Sequence, residues 1–345
     1  MAVKGIPTTV LVAPDSFKGS FSATEVADAI CRGLESGGRQ ADRCPVADGG
    51  EGTLAALLSA LGGELASAPA HDPLGRSISA SFGLIPASSG SPPGGRGASK
   101  GVVSAIVETA AASGLHLVAP EERDPLAAST FGTGELIMAA VAAGAEVVYV
   151  GVGGSATTDG GEGATEAIHA GGSLHGARLV VLCDVRTAFE DAARVFAPQK
   201  GADIDGVRCL TRRLHELAPR LERDPRGVPM SGAAGGMSGG LWAAFGAELV
   251  PGASFVLDAV GFDRRMRSAR AVVTGEGKLD RQSLAGKAVS EVATRARQAG
   301  VPCHAIVGTR ELDAFGARIL DLQAVLEAGT LEGIERAGRK LTEAL

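Results

Sequence analysis

Residues Gly151–Gly163 read GVGGSATTDGGEG, directly after the run EVVYV of Glu146–Val150. Six glycines, three hydroxyls and two acids in thirteen residues are more than a packed core calls for. Glycine lets backbone N–H groups approach an anion closely, hydroxyls add donors, and carboxylates at the carboxyl end of a strand can hold a divalent cation. This is the chemistry of a polyphosphate site, and its setting after a buried strand predicts an α/β fold.

The same order of apolar run, glycine, acid and hydroxyl recurs in TVLVAPDSFKGS (Thr9–Ser20), PVADGGEGT (Pro45–Thr53), VLCDV (Val181–Val185) and VVTGEGKLDRQS (Val272–Ser283). Open α/β sheets bind ligands beyond the carboxyl ends of their strands, so the recurrence points to one cleft. Ser22 and Glu25 before Val26, Ile30 and Leu34 form a capping box that opens an amphipathic helix. Asp15, Ser16 and Lys18 therefore fall on a strand-to-helix loop. Asp48–Gly52 precede a helix over Thr53–Leu61, whose N-terminal amides are expected to face an anion.

Around residue 66 the pattern changes to alternating runs, Ser77–Leu84 and Val102–Val107, joined by PASSGSPPGGRGASKG (Pro86–Gly101), which reads as a mobile hairpin loop. A helix over Gly134–Ala143 and a strand over Leu179–Cys183 follow. From Ala271 the strand, loop and helix alternation returns, with strands near Ala271–Thr274, Cys303–Val307 and Gln323–Leu326. The expected organisation is α/β: a discontinuous, flavodoxin-like, doubly wound parallel-sheet domain over 1–66 and 268–345. An inserted α/β domain over 67–267 carries the glycine segment.

Composition narrows the function. The 345 residues hold 33 basic and 39 acidic side chains, a formal charge of −6, and twelve aromatics. A nucleic-acid binder would show a basic stripe and stacking aromatics, and neither is visible. Five separated cysteines without C-x-x-C spacing argue for a reducing cytoplasm. No apolar run is long enough to span a bilayer, and no signal peptide is read. The six histidines show no paired metal spacing. Gly151-x-Gly153-x-x-Ala156 fits a dinucleotide fingerprint, with Asp184 ending a later strand, but Thr157–Gly161 would disrupt the helix that must start there. A dinucleotide-dependent hydroxy-acid dehydrogenase is kept as an alternative on that ground. GAAGGMSGG (Gly232–Gly240) reads equally as a flexible lid or as close helix packing.

Taken in order, APDSFKGSFSATEVADAI, PVADGGEGT, ETAAASGL, RDPL, FGTGELI, GVGGSATTDGG, CDV, PQKGA, GAAGGMSGG and TGEGKLDRQSLAGK resemble the type I glycerate kinase family over nearly the whole chain. The resemblance implies ATP-dependent phosphorylation of D-glycerate with Mg²⁺, a flavodoxin-like domain with an inserted α/β domain, and a site in the cleft between them. A non-catalytic organic-acid-binding relative is the second alternative. The chain departs from the family at Thr158, where asparagine is usual, and at Thr187-Ala188-Phe189, where Asn-Pro-Leu is usual. A stretch is also missing around Ala170–Arg178.

Within that resemblance Gly153, Gly154, Ser155, Lys200 and Lys278 are assigned to nucleotide phosphates. Asp159, Asp184 and Glu276 are assigned to the metal, and Ser16, Lys18 and Lys287 to glycerate. Asp48 is the candidate base for the attacking hydroxyl, with Asp280 second and Lys18 beside them. The expected product is 2-phosphoglycerate in preference to 3-phosphoglycerate, and a homodimer is the assembly to test.

Overall fold

The computed structural model describes residues 8–86, 103–183, 185–284 and 286–345. The expected hairpin loop, apart from Pro86, and Asp184 lie outside the described residues. In chain order the strands are β1 Thr9–Pro14, β2 Gln40–Arg43, β3 Glu64–His71, β4 Ser77–Ile85, β5 Ser104–Glu108 and β6 Val147–Gly151, then β7 Arg178–Cys183, β8 Glu248–Pro251, β9 Ala271–Leu279, β10 Cys303–Arg310 and β11 Leu322–Glu327. They form two sheets, one in each of two compact units: Met1–Asp48 with Val256–Leu345, and Gly49–Phe255.

In the first unit the sheet order is β11-β10-β9-β1-β2, with every neighbouring pair parallel. Renumbered within the unit this is 2-1-3-4-5, the flavodoxin-like order. β1 and the first halves of β9 and β10 are largely apolar and buried, as expected of central strands covered on both faces, whereas the edge strand β2 is Gln-Ala-Asp-Arg and partly exposed. Ser22 starts the helix Ala23–Ser36: its hydroxyl accepts from Glu25 N (3.2 Å) while the Glu25 carboxylate accepts from Ser22 N (2.9 Å). That helix packs on the C-terminal helix Leu331–Leu341 over a core of Val10, Val12, Ile30, Leu34, Val273, Ile306 and Ile334. Burying such a set is the main force holding the unit together, at roughly 1.5–3 kcal/mol per large side chain.

In the second unit the order is β3-β4-β5-β6-β7-β8; β3, β4 and β5 pair antiparallel, and β5 to β8 run parallel. Helices Phe131–Ala142 and Glu162–Ala170 pack together over Leu136, Ile137, Val148, Val150 and Val181. The division falls at Asp48 rather than near residue 66, because the helix Thr53–Leu61 packs on β4 and β5. β9 runs on through GEGKL, so Glu276 and Lys278 stand on a strand and not on a loop. GAAGGMSGG is close packing: a Cβ on Gly240 would meet Gly161 Cα at 3.2 Å, and one on Gly239 would meet Ser231 O at 2.7 Å. Only hydrogen fits there.

Candidate active site

The carboxyl ends of β1 and β9 open into a cavity of about 380 Å³ in the first unit. Asp15, Ser16 and Lys18 enter it from the loop after β1, Asp48 from the end of the following segment, Glu276 and Lys278 from β9, and Asp280 and Lys287 from the chain after β9. Seven expected site residues thus meet in one place: Ser16, Lys18, Asp48, Glu276, Lys278, Asp280 and Lys287. The sheet brings them together because parallel neighbours carry their carboxyl ends to the same edge.

The electrostatics inside are unusual. Asp15, Asp48 and Glu276 are 4%, 1% and 7% exposed. Burial, reinforced by Asp48, pushes the Asp15 carboxyl well above the usual aspartate range, against a lowering pull from Lys18. Burial also pushes Glu276 up to about 7, opposed by a hydrogen bond from Ser283 and by the charge of Lys287. Lys18 Nζ lies 3.5 Å from Asp48 Oδ2. Two buried polar atoms, Ser16 Oγ and Glu276 Oε1, have no hydrogen-bond partner among the described residues. Such atoms cost about 1–3 kcal/mol each unless a ligand or water meets them.

Two expected cleft residues are engaged elsewhere. Lys278 Nζ pairs with Glu311 Oε1 at 2.9 Å, and this contact raises its ammonium above the usual lysine value. Asp280 forms a turn, accepting from Gln282 N at 2.8 Å.

In the second unit the glycine segment follows the carboxyl end of β6, and Gly49 and Gly50 lie against it. Gly153 N donates to Gly49 O at 3.5 Å, and a Cβ on Gly153 would fall inside the van der Waals envelope of Gly50 Cα. Most of the segment is buried, with Gly154 as its exposed point. Lys200 is 3% exposed, and its ammonium donates to Ser155 Oγ (3.0 Å) and Thr157 O (2.5 Å), tying the turn in place. No helix starts until Glu162, which removes the helical turn a dinucleotide fingerprint requires.

The N-terminus of the helix Thr53–Leu61, expected to face an anion, and that of the helix Glu162–Ala170 are both filled by the chain itself. Asp159 is buried and accepts four hydrogen bonds: Thr130 N (2.8 Å), Thr130 Oγ1 (2.7 Å), Gly161 N (3.1 Å) and Gly163 N (3.3 Å). It caps the helix Glu162–Ala170, and a carboxylate so occupied does not fit a cation ligand. Glu108, at the end of β5, accepts from Leu54 N at 2.8 Å and caps the helix Thr53–Leu61, so those amides do not face a ligand. Burial pushes the Glu108 carboxyl up to about 7. Sequence reading missed Glu108, although an acid directly after the apolar run Ala105–Val107, at the start of ETAAASGL, was the available signal.

The departures have local explanations. Phe189 is fully buried, centres a cluster with Leu210, Leu214 and Leu217, and donates from its N–H to Ser231 Oγ at 2.8 Å. Thr158 is fully buried, and its hydroxyl has no partner among the described residues. The shortened connection turns through Gly172, Ser173, His175 and Gly176, all at positive φ.

The glycerate kinase family model matches residues 10–172 and 169–334, the two stretches meeting in that short turn. The chain belongs to the glycerate kinase family. A glycerate kinase of Bacillus subtilis (strain 168) is 38% identical, with 88% of this chain and 86% of that protein covered. A glycerate 2-kinase of Escherichia coli (strain K12) is 35% identical over 97% of both chains. A crystal structure from Salmonella typhimurium LT2, provisionally named glycerate kinase 2, superimposes with a TM-score of 0.76 and 32% identity over 98% of both chains. This membership fits the α/β architecture with its mostly parallel sheets, and nothing in the fold or the relatives supports a dehydrogenase. Among the described residues, no helix is long and apolar enough to cross a membrane, and no three His, Cys, Asp or Glu side chains gather as a metal site.

Proposed function

We propose that this protein is an ATP-dependent kinase that phosphorylates D-glycerate, with 2-phosphoglycerate as product. The single observation that carries the reading is the cavity in which the orphaned Ser16 hydroxyl and Glu276 oxygen stand beside Lys18 and Lys287. A three-carbon hydroxy acid offers one carboxylate for a lysine and two hydroxyls for the orphaned atoms. Membership of the family, with a glycerate 2-kinase among the relatives, supports the same substrate and the C2 position.

Phosphoryl transfer asks a protein mainly to position the reactants and to offset charge, because the transition state is loose. Lys18 and Lys287 take the substrate carboxylate, and Ser16 donates to one hydroxyl. Asp48, buried and held at Lys18, accepts the proton of the attacking hydroxyl. The turn Gly153–Gly154–Ser155 is assigned to the donor phosphates, and Lys200 acts as a positioning residue behind it. Mg²⁺, when bound with the nucleotide, would supply charge neutralisation at the phosphates. The metal assignment of Asp159 is withdrawn, since its carboxylate is occupied by the helix it caps.

A coupled ADP-release assay with D-glycerate, ATP and Mg²⁺ tests the reading, and phosphorus NMR of the product fixes the position. Binding of glycerate without turnover would favour a non-catalytic acid-binding relative. Absence of both would remove glycerate as the substrate.

A further inference from the structure

The acceptor cavity is longer than its group of acids and lysines. Its lining follows the carboxyl edge of the whole sheet, from Asp48 after β2 and Lys18 after β1, through Glu276 on β9, to Thr309 on β10 and Gly329 after β11. Neighbouring strands stand about 4.8 Å apart, so five strand ends in a row cover roughly 19 Å. A three-carbon hydroxy acid spans roughly 5 Å from end to end. The groups that take glycerate stand at the ends of β2, β1 and β9, which leaves roughly 10 Å of wall along β10 and β11 beyond its reach. The volume agrees with this length: about 380 Å³ falls within the roughly 300–1,000 Å³ of pockets that hold ligands well above this size.

The chemistry of that end selects its occupant. It presents the Thr309 hydroxyl and the bare backbone of Gly308 and Gly329, all uncharged, and Lys278, in register with Thr309, is held by Glu311. A phosphate does not suit it. The helix Leu331–Leu341, which begins just after Gly329, carries Glu332 in its first turn, and its cap Thr330 already accepts from Gly333 N at 3.1 Å. A further carbon bearing a hydroxyl does suit it, being uncharged and able both to donate to Thr309 and to accept from it. Resting on the glycerate kinase reading, we propose that the site also phosphorylates four-carbon trihydroxy acids with the C2 configuration of D-glycerate, their C3–C4 end lying along β10 and β11 beside Thr309. The step balances as it does for glycerate: the C2 oxygen bonds to the γ-phosphorus of ATP, the bond from that phosphorus to the β,γ-bridging oxygen breaks, ADP leaves with the electron pair, and the hydroxyl proton passes to Asp48.

The test gives the full-length protein ATP and Mg²⁺ with D-glycerate, D-erythronate or L-threonate in turn, and follows ADP release and the mass of the phosphorylated acid. The wild type should turn over at least one of the two tetronates with kcat/KM within about tenfold of that for glycerate, since a carbon that fits open space costs little. Gly329→Leu tests the placement. A Cβ at Gly329 meets nothing within 4 Å, so the new side chain enters the open end of the cavity. It should lower kcat/KM for the tetronates by about tenfold or more and change that for glycerate by less than about twofold. Glycerate turnover with neither tetronate phosphorylated overturns the inference and leaves the glycerate reading intact, whereas tetronate turnover without glycerate turnover does the reverse. Tetronates phosphorylated alike by the wild type and Gly329→Leu also overturn it, because the extra carbon then lies elsewhere. Should that variant not fold, Thr309→Val, which removes the hydroxyl, is read in the same way.

Discussion

Glu108 offers a test of whether the cap on the helix Thr53–Leu61 is read correctly. Glu108→Gln keeps an oxygen to accept from Leu54 N and removes the charge. The carboxyl stands at about 7 in the fold, against an ordinary value of 4.5, because burial disfavours its ionised form. The sign follows directly: a raised folded value means that the group's stabilising contribution is complete below pH 4.5 and is lost as pH rises through 7. The interval from 4.5 to about 7, at ~1.4 kcal/mol per pH unit, sets a ceiling of roughly 3.4 kcal/mol, and residual access to solvent brings this to about 2 kcal/mol. Urea unfolding of both proteins at intervals from pH 5 to 8 measures it. Trp242, the single tryptophan, lies in the same unit and serves as the fluorescence probe. The variant should gain on the wild type by about 2 kcal/mol between the ends of that range. Glu276, raised to the same region, is present in both proteins and cancels in the difference. A stability difference that stays flat with pH would refute burial as the cause.

Three further predictions concern the remaining site residues. Lys200→Met should raise KM for ATP at least fivefold and cost about 1–3 kcal/mol of stability, read by steady-state kinetics and urea unfolding, because Ser155 and Thr157 lose their buried donor. Asp159→Asn should lower stability by about 1–3 kcal/mol, since an amide cannot accept all four hydrogen bonds, while the Mg²⁺ response of the residual activity stays that of the wild type. A shifted Mg²⁺ optimum would restore the metal role. Lys18→Ala should raise KM for glycerate about tenfold and leave stability within about 0.5 kcal/mol, because the side chain is half exposed on a loop.

The buried parallel strands were legible, because stretches such as TVLVAP and RLVVLC read as apolar runs closed by an acid, whereas the partly exposed edge strands Gln40–Arg43, Glu64–His71 and Glu248–Pro251 were not. The helix Thr53–Leu61 was legible to the residue, but its allegiance was not. Periodicity reports that a helix buries one face, whereas the partner of that face, here β4 and β5, is a tertiary fact. Likewise β9 was expected to stop at Thr274, since GEGKL lacks apolar character. It continues because Gly275, Glu276 and Lys278 pair in register with Ile306, Val307 and Thr309 of β10.

The site divides along the same line. The cavity residues were legible because each comes from its own strand end, and parallel topology carries strand ends to one edge whatever the details of packing. The roles of Asp159 and Glu108 were not legible, because an acid beside glycines reads the same whether it holds a cation or caps a helix. The difference lies in which amides arrive at its oxygens, and those come from Thr130, Gly163 and Leu54, far along the chain from the acid or on a neighbouring turn. In the second unit the positive ends of both helices are thus neutralised internally, which leaves the turn at Gly154 as the exposed point of the glycine segment.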